Sequence, residues 1–246
     1  MAKHMALPVH FCWTRFGTEA GQTAEQILHR KEQERLANSG IFLWGIGNSV
    51  GPGIRELVRS YESPEVLFSP IRSSPKAIDA APESVVAWTR GETDDGKIFS
   101  LPRFSLVTSR QNLSSPKTTH YALVCFSGTP LTLCETPYTL EFDALRNFLS
   151  GNPVGASQVT AVVHRDDTVP TQGGKYRVAL RARLIPPFFI RLREPIPLSK
   201  SNNLATDWYA AVQSVWEQRT WHATNSELRA NQRKLPFSSH PNRRAE

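Results

Sequence analysis

Three groups of side chains in this 246-residue chain carry chemistry by their type and spacing. The first is aromatic and set among glycines. A short apolar run, Ile41-Phe42-Leu43-Trp44, leads into Gly45-Ile46-Gly47-Asn48-Ser49-Val50-Gly51-Pro52-Gly53. An indole offers a flat face on which a base stacks for about 1–3 kcal/mol. Glycines next to it let a ligand or another backbone approach closely, and the Asn48 amide holds both a donor and an acceptor for a base edge. Trp13, Phe68 and Trp88 are the further candidates for walls of such a pocket. Core packing is the plain alternative for every one of these rings, and Asn48 in a glycine-rich loop also serves as a turn former. Residue type alone leaves both readings open.

The second group is basic. Lys175, Arg177, Arg181, Arg183, Arg191 and Arg193 follow one another with no acidic residue before Glu194. Over the whole chain 29 Lys and Arg stand against 22 Asp and Glu, a net charge of +7, with a sequence pI of about 9.6. Clustered positive charge points to a polyanion as partner, DNA or RNA. Arg177, Arg181 and Arg183 are expected to contact phosphates from one side of an alternating strand, with Arg72, Lys76 and Arg90 as further phosphate contacts. A solvated basic face is the alternative.

The third group is acidic. Glu141, Asp143, Asp166 and Asp167 with Lys175 make a loose set of the kind that holds a metal for phosphodiester cleavage, so a metal-dependent nuclease is the enzymatic alternative. Gly45-x-Gly47-x-x-x-Gly51 partly matches a nucleotide-binding loop, a second alternative, but it lacks a Walker lysine and a succession of βαβ units. No GxSxG occurs, and neither Cys125 nor His120 is spaced for nucleophilic catalysis. Cys12, Cys125 and Cys134 are odd in number and lack CxxC spacing, which argues against a disulfide framework and a zinc site. No metal or cofactor is expected, and the balance leans towards binding rather than catalysis.

The elements that must position these residues follow from pattern. At 39% hydrophobic and 21% charged the chain has the composition of an ordinary globular protein, which excludes global disorder. Its longest apolar runs fall far short of the roughly 20 residues a membrane span needs. A soluble intracellular protein, cytoplasmic or in the nucleoid or nucleus, is expected, with no membrane partner. Residues 1–4 read as a cloning leader, residues 5–223 as one domain with an insertion at about 91–167, and residues 224–246 as a flexible basic tail. Strands are predicted at Val9 to Phe16, Ile41 to Trp44, Val66 to Ser69, Ser84 to Trp88, Phe104 to Thr108, Tyr121 to Ser127, Leu131 to Cys134 and Val159 to His164. The strand Lys175 to Ile185 alternates, with Tyr176, Val178, Leu180, Ala182 and Leu184 on one face, and Pro186-Pro187 is expected to end it. Helices are predicted at Ala24 to Ala37, opened by a Thr23/Gln26 capping box, at Ile54 to Ser60, at Leu140 to Leu149, and at Thr206 to Arg219 with Trp208 and Trp216 inward. Arg30, Lys31, Glu34 and Arg35 are assigned to the charged face of the first helix. The fold class is α+β, a curved mixed or antiparallel sheet or partly closed barrel with flanking helices and an inserted α+β segment.

Read together, a first strand at Val9 to Phe16, a strand ending in Trp44 with Asn48 four residues on, Leu57 on the next helix and then Val66-Leu67-Phe68-Ser69 resemble the PUA-like superfamily, in particular its EVE and YTH branches. The alternating Tyr176 to Leu184 strand, followed by Arg191-Leu192-Arg193-Glu194-Pro195-Ile196-Pro197-Leu198, is similar to the closing strand and exit of those domains. The resemblance covers about Val9 to Trp88 and Tyr176 to Leu198; the helix before Ala37 is longer than the family's connection, and Gly91 to Asp167 has no counterpart in it. It implies a reader that holds one modified base in an aromatic cage, with Trp44 where the family places a cage Trp and a partner protein supplying any effector activity.

Overall fold

A computed structural model describes residues 7–17, 23–71, 85–101, 107–109, 120–132, 138–170 and 174–197. The Arg72 and Lys76 positions, the strand expected at Leu131 to Cys134 beyond residue 132, the helix expected at Thr206 to Arg219, the leader and the basic tail lie outside these residues.

The first helix, α1 (Ala24–Ala37), begins where the sequence places it. The Thr23 hydroxyl accepts from the Gln26 N–H at 3.3 Å, and the Gln26 side chain accepts from the Thr23 N–H at 2.8 Å, so two orphan donors of the first turn are satisfied reciprocally. It stops at Ser39 (φ 53°) and Gly40 (φ 97°). A side chain at Gly40 would put Cβ 2.5 Å from the Phe126 ring. The second helix, α2 (Gly51–Ser60), starts earlier than expected, because Pro52 sits in the first turn, where its missing N–H costs nothing. Gly53 lets α2 approach closely, since a Cβ there would stand 3.0 Å from Val162 Cβ.

The strands are β1 (His10–Phe16), β2 (Ile41–Ile46), β3 (Glu65–Pro70), β4 (Val85–Glu92), β5 (Ile98–Ser100), β6 (Val107–Ser109), β7 (Tyr121–Phe126), β8 (Tyr138–Glu141), β9 (Leu145–Asn147), β10 (Thr160–Arg165), β11 (Lys175–Val178) and β12 (Leu180–Pro197). Ten of them form one mixed sheet in the order β2-β7-β12-β3-β1-β10-β9, with β4 added on β12 and carrying β5 and β6. The β1–β3 pair is parallel. β8 and β11 form a separate two-stranded sheet. The class is α+β, as expected, and the sheet is not closed into a barrel. The segment expected as an insertion supplies β5, β6, β7, β9 and β10 to the main sheet.

Two expectations are corrected. Leu140 to Leu149 is not a helix but β8, one turn of 3-10 helix at Phe142–Ala144, and β9. Leu140, Ala144 and Leu145 sit at helix-like spacing and are buried, yet Leu140 pairs with β11, Leu145 with β10, and Ala144 lies in the turn between them. The alternating strand is divided at Ala179. Val178 packs in a cluster with Leu67 and Trp13, whereas Leu180, Ala182 and Leu184 pack with Phe68 and Trp44. Pro186-Pro187 does not end the strand; the register shifts between Leu184 and Phe189 and pairing continues to Pro197.

Alternation gives the main sheet two different faces. One carries Cys12, Phe42, Trp44, Val66, Phe68, Leu123, Val162 and Leu180 and is covered by α1 and α2. The other carries two separate clusters. One holds Ile41, Leu43, Val124, Ile185, Ile190 and Trp88; the other holds Phe11, Trp13, Leu67, Val163, Leu140 and Val178.

The α1 stripe Ala24, Ile27 and Leu28 continues not into apolar residues but into Lys31 and Glu34, which are fully buried rather than on a charged face. Sheet geometry supplies the reason. β2 is a terminal strand, so the N–H groups on its outer side lack a ladder partner. Glu34 Oε1 accepts from the Leu43 N–H at 3.0 Å, and the Asn38 carbonyl accepts from the Ile41 N–H at 3.0 Å. The buried carboxylate then requires a counter-charge, and Lys31 Nζ donates to Glu34 Oε2 at 2.6 Å. Burial pushes the Lys31 ammonium down to about 8 and the Glu34 carboxyl up, while each partner's charge opposes its neighbour's shift. Removing one member strands the other in an apolar site. Lys31→Met is therefore expected to destabilise the fold by about 3–5 kcal/mol, and Lys31→Met with Glu34→Gln by less than Lys31→Met alone. Urea titrations of the three proteins check both statements.

Candidate nucleic-acid interface

The four aromatic residues expected to wall a base pocket are distributed by strand parity. Trp44 and Phe68 meet on the helix-covered face, ring centroids 4.7 Å apart and edge to face, and Phe16 meets Trp44 in the same manner at 5.7 Å. Trp44 is 7% exposed and Phe68 is fully buried. Trp13 lies on the opposite face, fully buried, its indole N–H donating to the Ser69 hydroxyl at 3.0 Å. Trp88 lies in the remaining cluster beside His120, centroids 5.0 Å apart. The structure brings Trp44 and Phe68 together and leaves Trp13 and Trp88 in clusters of their own. Beyond Trp44, Gly45 and Gly47 are exposed, and Asn48 opens a short 3-10 turn (Asn48–Val50) that leads into α2. A Cβ at Gly47 would meet nothing within 4 Å.

The basic residues divide in the same way. Arg177 is on β11, exposed, while its neighbours Tyr176 and Val178 pack towards the main sheet. It therefore does not share a row with Arg181 and Arg183, because the chain changes sheets at Ala179. Arg181 and Arg183 alternate with Leu180, Ala182 and Leu184 and so stand on the face that carries two clusters. Arg181 lies opposite Leu67 of one cluster, and Arg183 lies opposite Phe126, which packs against the other. The pair thus occupies the strip between the two clusters.

Each guanidinium in this strip lies over an aromatic ring, Arg181 at 5.6 Å from the Tyr138 centroid and Arg183 at 5.2 Å from that of Phe126. Such stacking fixes the planar group in position and leaves its edge to donate. Arg181 gives two hydrogen bonds, of 3.1 and 2.7 Å, to Glu65 Oε2, and its Nη1 is buried without a partner among the described residues. No carboxylate among the described residues is within ion-pair distance of Arg183, whose side chain is half-buried. Arg90 is exposed and paired with Glu194 at 2.9 Å.

The carboxylates of the nuclease alternative are engaged separately. Glu141 pairs with Lys175 at 2.9 Å, Asp167 with Arg165 at 2.6 Å, and Asp166 accepts from Thr168. Among the described residues no group of three or more His, Cys, Asp or Glu is placed to hold a metal ion. The two described cysteines, Cys12 and Cys125, are buried free thiols whose ionisation burial opposes. No described helix is long and apolar enough to cross a membrane.

Comparison with protein-family models, curated proteins and solved structures finds no match to this chain. The functional reading therefore rests on geometry and charge. Sequence reasoning named Arg181 and Arg183 but not Tyr138, Phe126 or Glu65, which hold them. The period-two pattern indicates that two arginines share a face; only strand register tells which rings and which acid meet them.

The packing of Trp44 generates a direct test. An indole held edge to face by Phe16 and Phe68 and 7% exposed contributes as core, so Trp44→Ala should lower stability by about 3–5 kcal/mol. A thermal melt followed by near-ultraviolet dichroism measures this; a loss below about 1 kcal/mol would mark Trp44 as a ring available to a ligand.

Proposed function

We propose that this protein is a nucleic-acid-binding module that grips the phosphate backbone along the strip containing Arg181 and Arg183. The observation that carries the reading is their arrangement: two neighbouring guanidiniums, each laid on an aromatic ring, between two packed clusters on one sheet face. Phosphate oxygens suit the Arg183 guanidinium because such a group binds them in a planar, two-pronged manner and is weakly hydrated, while Arg181, held by Glu65, adds its charge beside it. The excess of positive charge over the chain favours the same class of partner by drawing a polyanion to the surface.

The finer reading, also a proposal, is a PUA-like reader of a single base, modified or plain, without catalysis of its own and acting with an effector protein. It is supported by the order of strand, Trp44, exposed Gly45 and Gly47, and helix α2. In this reading the base is held beside Trp44 at the exposed Gly45 and Gly47, which have no side chains to keep a ligand away, the Ile46 side chain between them being buried.

Titration of single-stranded RNA, single-stranded DNA and duplex DNA at several salt concentrations tests the coarser proposal. The Arg181→Gln, Arg183→Gln double variant should bind more weakly and lose up to about two units of log–log salt slope, whereas Arg177→Gln should lose less than one. A melting curve controls for the unpaired Glu65. Absence of binding by the wild-type protein at about 50 mM salt, or an unchanged slope in the double variant, would overturn the proposal.

A further inference from the structure

A cluster of four half-buried rings, unused by the proposed interface, lies at the other end of the helix-covered face. His10 on β1 and His164 on β10 are direct partners in the antiparallel register. Their ring centroids are 5.4 Å apart at an interplanar angle of 59°. Tyr61, which follows the last turn of α2, stacks on His10 at 4.6 Å and 20°, and Phe148 meets His10 edge-on at 5.6 Å. Both imidazoles are partly exposed, so an ion and its remaining water ligands can reach them.

The spacing matches two imidazoles that share one ion. With one nitrogen of each ring turned to the ion and a metal–nitrogen bond of about 2.0–2.1 Å, a ring centre lies about 3.2 Å from the metal, and two centres 5.4 Å apart then subtend about 115°. This is close to the tetrahedral angle. The strand ladder fixes both Cα positions, and the Tyr61 stack limits rotation of the His10 ring, so little freedom is lost on binding. We propose that His10 and His164 form a two-histidine site for a borderline divalent ion of the zinc or copper type, its other positions filled by water.

The surrounding charge is mixed. Arg146 is the register partner of His164 on β9, and its Nη1 donates to the Asp143 and Leu145 carbonyls at 2.6 and 3.1 Å. Asp166, two residues beyond His164, carries a negative charge and accepts from the Thr168 hydroxyl at 2.6 Å. Zinc and copper accept neutral imidazole readily, whereas magnesium and calcium favour oxygen donors.

Competition titrations with Zn2+, and electron paramagnetic resonance with Cu2+, test the site on the full chain stripped with a chelator. The wild-type protein should bind one equivalent of either ion, with hyperfine structure from two nitrogens on the copper. His10→Gln and His164→Gln should each raise the dissociation constant at least about tenfold, and the copper spectrum should fall to one nitrogen. Magnesium should not compete. Should His10→Gln lose its fold in a metal-free melt, His164→Gln, which leaves the His10–Tyr61 stack in place, carries the test. Binding that persists unchanged in His164→Gln, or a wild-type spectrum with fewer than two nitrogens, would overturn the site.

Discussion

Every backbone group of an 18-residue strand needs a partner, and in this chain β12 sets that demand. Its first part lies between β3 and β7, and its later part between β7 and β4. The register shift between Leu184 and Phe189, around the cis Pro186-Pro187 bond and Phe188 at φ 68°, makes the two parts compatible. Prolines cannot donate to a ladder, so they sit where it is interrupted. The interruption also reverses side-chain parity. Leu184 and Phe189 both face the helices although they are five residues apart, which turns Ile190 and Leu192 to the other face, where they build the Trp88 cluster. Through that reversal β12 packs Leu184 and Phe189 towards the helices and Ile190 and Leu192 towards Trp88. The reversal also bounds the strip in which Arg181 and Arg183 lie.

The sequence was legible where local rules decide the outcome. The capping box at Thr23 and the strand at Ile41 depend on neighbours a few residues away, whereas the glycine loop expected from Gly45 to Gly53 shortens to Gly47 and one 3-10 turn. Legibility failed where register decides. The Leu140 to Leu149 segment shows a helical spacing of apolar residues, yet β11 and β10 claim it for strands. The row Arg177, Arg181, Arg183 has ideal period two, but a change of sheet at Ala179 removes its first member. Lys31 and Glu34 look like surface charges until the outer edge of β2 is known to need an acceptor. Each failure has the same origin: a partner 9 residues away in sequence for Glu34, and far more for the others, overrides a local pattern.

Charge counting alone also overstates what is on offer to a ligand. Arg181, Arg90, Arg193, Arg165 and Lys175 each have a carboxylate partner within the fold. Those exposed to solvent contribute little to stability, but each is partly neutralised. Arg183 differs, since a ring rather than an acid holds it. The gap between a chain's formal charge and its usable charge is thus decided by cross-strand neighbours.

The pairing of β1 with β10 has a consequence for the way the chain is made. Thr14 and Thr160, 146 residues apart, share a buried hydroxyl contact at 3.0 Å, and β1 is the parallel neighbour of β3 on its other side. A nascent chain that has released β1 and α1 from the ribosome has no antiparallel neighbour for β1 until β10 emerges. β3 and β7 in turn wait for β12. At about 5–20 residues per second that interval lasts on the order of ten seconds or more, during which Phe11, Trp13 and Phe16 remain without their final cover. Sheets of such high contact order fold slowly, and this one completes its centre last.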